Sequence, residues 1–134
     1  MSDWVLTLFP GAYEAIAQGG KLVEGRAPDP SKPKKDYSKL KPGDRIIFRA
    51  ISEEDYQPLN RPDIIFPVTY NNHYSGNTAE DAIHSMLEAE GLEKLLPGFS
   101  SIKEGIKLYM GLPGYSERIA KHGIHAIGLG EKIH

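Results

Sequence analysis

Lys41-Pro42-Gly43-Asp44-Arg45-Ile46-Ile47-Phe48-Arg49-Ala50-Ile51 reads as a turn feeding a strand. Proline and glycine punctuate the chain, and the β-branched and aromatic run that follows suits extended backbone. Upstream, Trp4-Val5-Leu6-Thr7-Leu8-Phe9 is a second strand, stopped by Pro10-Gly11. Ala12 to Gln18 places Tyr13, Ile16 and Ala17 at helical spacing, and Gly19-Gly20 ends that helix. Lys21 to Arg26 is extended again, and residues 27–42, with four prolines, are loop. Downstream, Ile64 to Tyr74 is a strand whose Pro67 predicts an edge position or a bulge. Thr78 caps a helix with the apolar stripe Ala79, Ala82, Ile83, Met86 and Leu87, closed by Gly91. Ser101 to Glu104 is a capping box opening a helix through Met110. A short helix from Tyr115 to His122 precedes a final strand, Ile124 to Leu129. The order β-α-β-β-β, helices, β predicts one α+β domain over residues 1–134. Its sheet is expected to be mostly antiparallel, of about five to six strands, open or closed, with helices packed against it.

Composition narrows the function classes. The 134 residues are 40% hydrophobic and 25% charged, the balance of a globular domain long enough for its own core. Without cysteine there is no disulfide, thiolate metal site or cysteine nucleophile. No apolar run reaches the roughly 18 residues of a membrane span. Met1-Ser2-Asp3-Trp4 lacks the features of a secretory signal, so a cytoplasmic protein with no membrane association is expected. The sequence leaves the oligomeric state open, with a monomer the default expectation. The net charge of −2 conceals an asymmetry. Lys21 to Arg49 holds nine Lys or Arg against four Asp or Glu, and the remainder seven against fourteen. A basic stretch around Lys32, Lys34, Lys35, Lys39 and Lys41 suits an anionic ligand, and equally a solvated loop.

Three familiar signatures fail. Gly19-Gly20-Lys21 is followed by Leu22 where a phosphate-binding loop needs Ser or Thr. Gly128-Leu129-Gly130 has no helix beyond it. His122 and His125 lack a third ligand, so neither metal nor cofactor is expected. Gly19-x-Lys21-x-x-Glu24-Gly25-Arg26 carries more. In a strand Glu24 and Arg26 share a face, and Gly25 between them admits a close approach by ligand or backbone. Arg26 can hold a phosphate or base edge bidentately, Lys21 supplies a point charge, and Glu24 takes a donor or acts as a general base. The other reading is an ion pair between Glu24 and a neighbouring cation, with no ligand. Tyr37, Tyr70, Tyr74 and Tyr115 are rim aromatics that could stack on a base or simply pack.

These pieces together resemble the ASCH family of PUA-like domains, over about residues 4 to 130. The match runs through Ile16-x-x-Gly19-x-Lys21-x-x-Glu24-x-Arg26, then Lys41-Pro42-Gly43-Asp44-x-Ile46-x-Phe48, then Tyr74 and Met86-Leu87 ahead of Glu90-Gly91. It continues through Leu96-Pro97-Gly98, Ser101-Ile102-x-Glu104-Gly105-Ile106 and Tyr109 to His122-Gly123-Ile124-x-Ala126-Ile127. The resemblance implies a PUA-like barrel and a cleft lined by Lys21, Glu24 and Arg26. It also implies a function in RNA metabolism, as a binder of RNA or of modified nucleosides or nucleotides. One branch of the family hydrolyses the amide of acetylated cytidine with a lysine and a threonine from this motif. Lys21 matches that lysine, whereas Glu24 stands at the threonine position, so the nucleophile of that branch is missing.

The expected function is therefore an RNA- or nucleotide-binding module, with Lys21, Glu24, Arg26, Lys34, Lys35, Tyr37, Tyr74 and Tyr115 as ligand-binding residues. The alternative is a small hydrolase of a modified nucleoside or of RNA, with Lys21 and Glu24 catalytic.

Overall fold

The computed structural model describes residues 2–133. Strands β1 (Asp3–Leu8), β2 (Val23–Arg26), β3 (Arg45–Ala50), β4 (Ile64–Tyr74) and β5 (Ile124–Leu129) form one sheet in the order β1-β3-β4-β5-β2. Only the β1–β3 pairing is parallel; the other three are antiparallel. The α+β architecture agrees with the sequence reading, but the sheet curls into a half-barrel rather than closing. Its end strands β1 and β2 share no ladder; instead Arg26 Nη2 of β2 donates to the Thr7 carbonyl of β1 at 2.7 Å.

Turn chemistry explains the quoted stretch. Gly43 sits at φ +98°, a conformation costly for any residue with a side chain. The buried Asp44 carboxylate accepts from Lys41 N (3.1 Å) and Ser2 N (2.9 Å), tying the start of β3 to the start of β1. Pro67 is not on an edge strand. It lies where β4 leaves β3 as partner and takes up β5, immediately before a register irregularity between Val68 and Tyr70. Pairing changes hands where proline's missing N–H is tolerated, and the bulge curls the sheet.

Helix α1 (Pro10–Ala17) covers the barrel interior, where Tyr13 and Ile16 join Leu6, Phe48, Ile46 and Ile127 in one core. A second core lies between the outer face of β2 and β5 and the helices α2 (Ala79–Glu90), α3 (Leu92–Leu95), α4 (Ile102–Gly111) and α5 (Tyr115–His122). Both caps form: Thr78 Oγ1 accepts from Asp81 N and Ser101 Oγ from Glu104 N, while the Glu104 carboxylate takes the Ser100 hydroxyl instead of closing the box. The four-residue α3 is too short to show periodicity and was not expected from the sequence. No helix among the described residues is long and apolar enough to cross a membrane.

Candidate functional site

Strand β2 alternates its side chains between the two cores. Val23 and Gly25 face the helices, while Glu24 and Arg26 face the barrel interior opposite Ile127 and His125 of β5. Gly25 is therefore not the floor of an open pocket. A Cβ there would lie 2.6 Å from the Tyr109 hydroxyl oxygen and 3.0 Å from its Cζ, so the ring of Tyr109 occupies the space expected for a ligand.

Lys21 and Glu24 are likewise sealed, at 5% and 4% exposure, where a solvent-open rim was expected. Lys21 Nζ donates to the Leu95 carbonyl of α3 at 2.6 Å and lies 3.2 Å from Glu24 Oε1. Leu22 N also donates to Lys94 O, so the unanticipated α3 closes over this end of β2. Arg26 Nε donates to Glu24 Oε2 at 2.7 Å. Burial alone would raise the Glu24 carboxyl, but the adjacent charges of Arg26 and Lys21 outweigh it and hold the group below its usual range. Burial lowers the Lys21 ammonium, with Glu24 opposing. The triad is an ion-paired strut, and its outward product is Arg26. Glu24 and Thr7 fix that guanidinium, and its side chain is 11% exposed.

Other cations gather beside it. Arg118 of α5 lies over the Tyr115 ring at 5.2 Å, and its Nε is the one sealed side-chain polar atom without a partner among the described residues. Lys35, on the 3₁₀ turn Pro33–Lys35, is held below the ordinary lysine range by partial burial and then by the charges of Arg118, Lys32 and Arg26. Asp29 lies near this group and Glu24 binds Arg26, yet neither Lys35 nor Arg118 makes an ion pair among the described residues. Tyr115 is half-buried and stacks on Tyr109, with centroids 6.4 Å apart and planes at 12°.

The remaining predicted residues add no ligand-facing group to this cluster, although Tyr37 lies near Arg26 and Tyr115. Tyr37 is 4% exposed, its ring against Trp4 in the barrel core, so it has no face free for a base. Tyr74 pairs with Ile124 on the helical face of the sheet and gives its hydroxyl to Glu90, as Tyr70 does. Facing away from Arg26, it cannot share a ligand with it. Lys34 is exposed on the same turn as Lys35 and is not part of the ion-pair network.

Sequence reasoning passed over Arg118, Asn71 and His73, and weighed His125 only as a metal ligand. The ladders put Arg26, His125 and His73 in one row across β2, β5 and β4, and Glu24, Ile127 and Asn71 in the next. Directly opposed residues have Cβ atoms about 4.5–5.5 Å apart, and the two imidazole centroids are 4.9 Å apart. Alternation within β4 places 71 and 73 on one face, but only the register across the bulge brings them to Arg26. Beyond this row lies a cavity of about 610 Å³ walled by Pro28, Pro30, Leu40 and Pro42. No group of three or more potential metal ligands occurs among the described residues.

No family model and no curated protein matches the chain. Among solved structures, it is similar to the crystal structure of hypothetical protein PH0355, at 34% identity over 98% of this chain and 99% of that one, with a TM-score of 0.71. It is also similar to the solution structure of protein PF0455 from Pyrococcus furiosus, at 30% identity over 98% and 97% of the two chains, with a TM-score of 0.63.

Proposed function

The chain belongs to the same family as hypothetical protein PH0355, and with that fold as the premise we propose that it is an ASCH-type module that binds single-stranded RNA or a nucleotide. The supporting observation is the convergence of Arg26, Lys35 and Arg118 beside Tyr115, with Arg118 Nε unpartnered. Lys35 and Arg118 make no ion pair among the described residues, so their charges complement phosphate beside the Glu24-held Arg26, and arginine adds bidentate geometry. Glu24 and Lys21 act here by positioning Arg26. Their closure under α3 favours binding over the hydrolase alternative, because a general acid or base must reach substrate.

Fluorescence polarisation with a short labelled single-stranded RNA over a salt series tests this. Binding should weaken with salt, and Arg118→Ala should reduce the log–log slope by about 0.7, the value of one phosphate contact on a single strand. Equal affinity and slope for wild type and Arg118→Ala would overturn the assignment of this cluster.

A further inference from the structure

The cavity next to Arg26 has a polar floor whose hydrogen-bonding sense is set by the fold. Asn71 Nδ2 donates to the carbonyls of Tyr37 (2.7 Å) and Leu40 (2.9 Å), so its amide orientation is fixed and its Oδ1 is an acceptor. The partner of that Oδ1, His125 Nδ1 at 2.9 Å, must carry the proton, which leaves Nε2 with a bare lone pair. His73 Nε2 lies 2.7 Å from the His122 carbonyl, which can only accept, so in the neutral ring the bare nitrogen of His73 is Nδ1. Neither bare nitrogen has a protein partner among the described residues; His73 is an exposed residue, and His125 Nε2 is not sealed.

The rest of the lining has the same sense. Asp36 is a carboxylate that accepts from the Ser38 hydroxyl at 2.6 Å, leaving Ser38 only lone pairs to offer. Lys41 is the one cationic residue in the wall. The prolines and Leu40 supply apolar wall, and the hollow, about 610 Å³, is broad and open to solvent. The cavity also continues the cationic cluster. His125 is the cross-strand neighbour of Arg26, His122 lies four residues beyond Arg118 on the same face of α5, and Asp36 follows Lys35.

We propose that this cavity is a nucleobase pocket selecting bases that bear an exocyclic amino group over uracil, with His125 Nε2 and His73 Nδ1 accepting from that group. This rests on the nucleotide-binding reading above, in which the phosphate sits on Arg26, Lys35 and Arg118. Cytosine presents N4–H₂ where uracil presents the O4 acceptor, and an acceptor facing two lone pairs forms no hydrogen bond with either and repels both. Burial and the neighbouring His73 push His125 down to about 4, opposed by Asp36, so it is neutral and accepting at neutral pH.

The test is isothermal titration of the wild-type protein, Arg118→Ala, His73→Ala and His125→Phe with CMP, UMP and inorganic phosphate. The expected result is CMP binding at least tenfold tighter than UMP, with the ratio falling toward one in His73→Ala, whose exposed site leaves the core intact. His125→Phe should do the same; if it fails to fold, the ¹⁵N shifts of the wild-type imidazoles on adding CMP replace it, with His125 Nε2 and His73 Nδ1 expected to move. CMP and UMP binding equally, while both weaken in Arg118→Ala, would overturn the base pocket and leave the phosphate reading standing. A CMP preference that survives in His73→Ala, with unmoved imidazole shifts, would also overturn it. No binding by CMP, UMP or phosphate would overturn both.

Discussion

Glu24→Gln removes the only negative charge from the buried strut while changing its shape little. In the wild type, Glu24 Oε1 lies 3.2 Å from Lys21 Nζ and Oε2 2.7 Å from Arg26 Nε, with the residue 4% exposed. The amide leaves Lys21 sealed under the Leu95 carbonyl with no counter-charge. Removing one partner of a buried ion pair costs about 3–5 kcal/mol. Two features place this case at the lower end: Arg26 retains the Thr7 carbonyl and some solvent, and Lys21, already lowered by burial, can shed its proton. A loss of about 3 kcal/mol corresponds to a fall in Tm of about 10 °C for a chain of this size. Urea unfolding followed by circular dichroism should show the midpoint falling at constant m. The double variant Lys21→Met, Glu24→Gln should lose at least 1 kcal/mol less than the two single losses combined, because it removes the sealed ammonium that Glu24→Gln alone would strand. Acid adds a second readout. The folded-state pKa of Glu24 lies below its ordinary 4.5, so its contribution is present above that pH and lost as pH falls below it. Glu24→Gln should be less acid-sensitive in this range. A destabilisation under about 1 kcal/mol would refute the sealed strut, since an exposed ion pair contributes no more than that.

Gly25→Ala forces a methyl against the buried ring of Tyr109, itself stacked on Tyr115, and should cost about 1–3 kcal/mol. Adding Tyr109→Phe, which removes the oxygen 2.6 Å away, should recover part of that loss in a thermal melt. His125 gives a separate pH signature. Its surroundings are Arg26 on β2, His73 on β4, Asp36 in the loop and His122 at the end of α5, and its folded-state value of about 4 lies below the ordinary 6.5. The unfolded chain binds this proton more readily, so stability should fall as pH drops from 6.5 toward 4. The slope should be shallower in His125→Phe, measured by urea unfolding at a series of pH values.

What the sequence determined by itself is local. The Pro42-Gly43-Asp44 turn, the caps at Thr78 and Ser101, the apolar stripe of α2 and the final strand all follow from residues within a few positions of one another, and each was legible. So was the motif from Lys21 to Arg26, including the shared face of Glu24 and Arg26. Which way that face turned was decided by the tertiary structure. The four-residue α3, with no periodicity to announce it, folds over Lys21, and Tyr109 from a helix 84 residues away fills the place of the absent Gly25 side chain. Tyr37 was sealed into the barrel core and Tyr74 was turned to the other face of the sheet, which no spacing encodes. The row of Arg26, His125 and His73 depends on two strand registers, one of them reset by the irregularity after Pro67. Arg118 comes beside Lys35 only because α5, packed on α2 and α4, carries it there. Turns, caps and amphipathic stripes are short-range matters of backbone preference and side-chain period. Register and burial are set by contacts between distant segments, and whether a charge becomes a strut or a binding group depends on them.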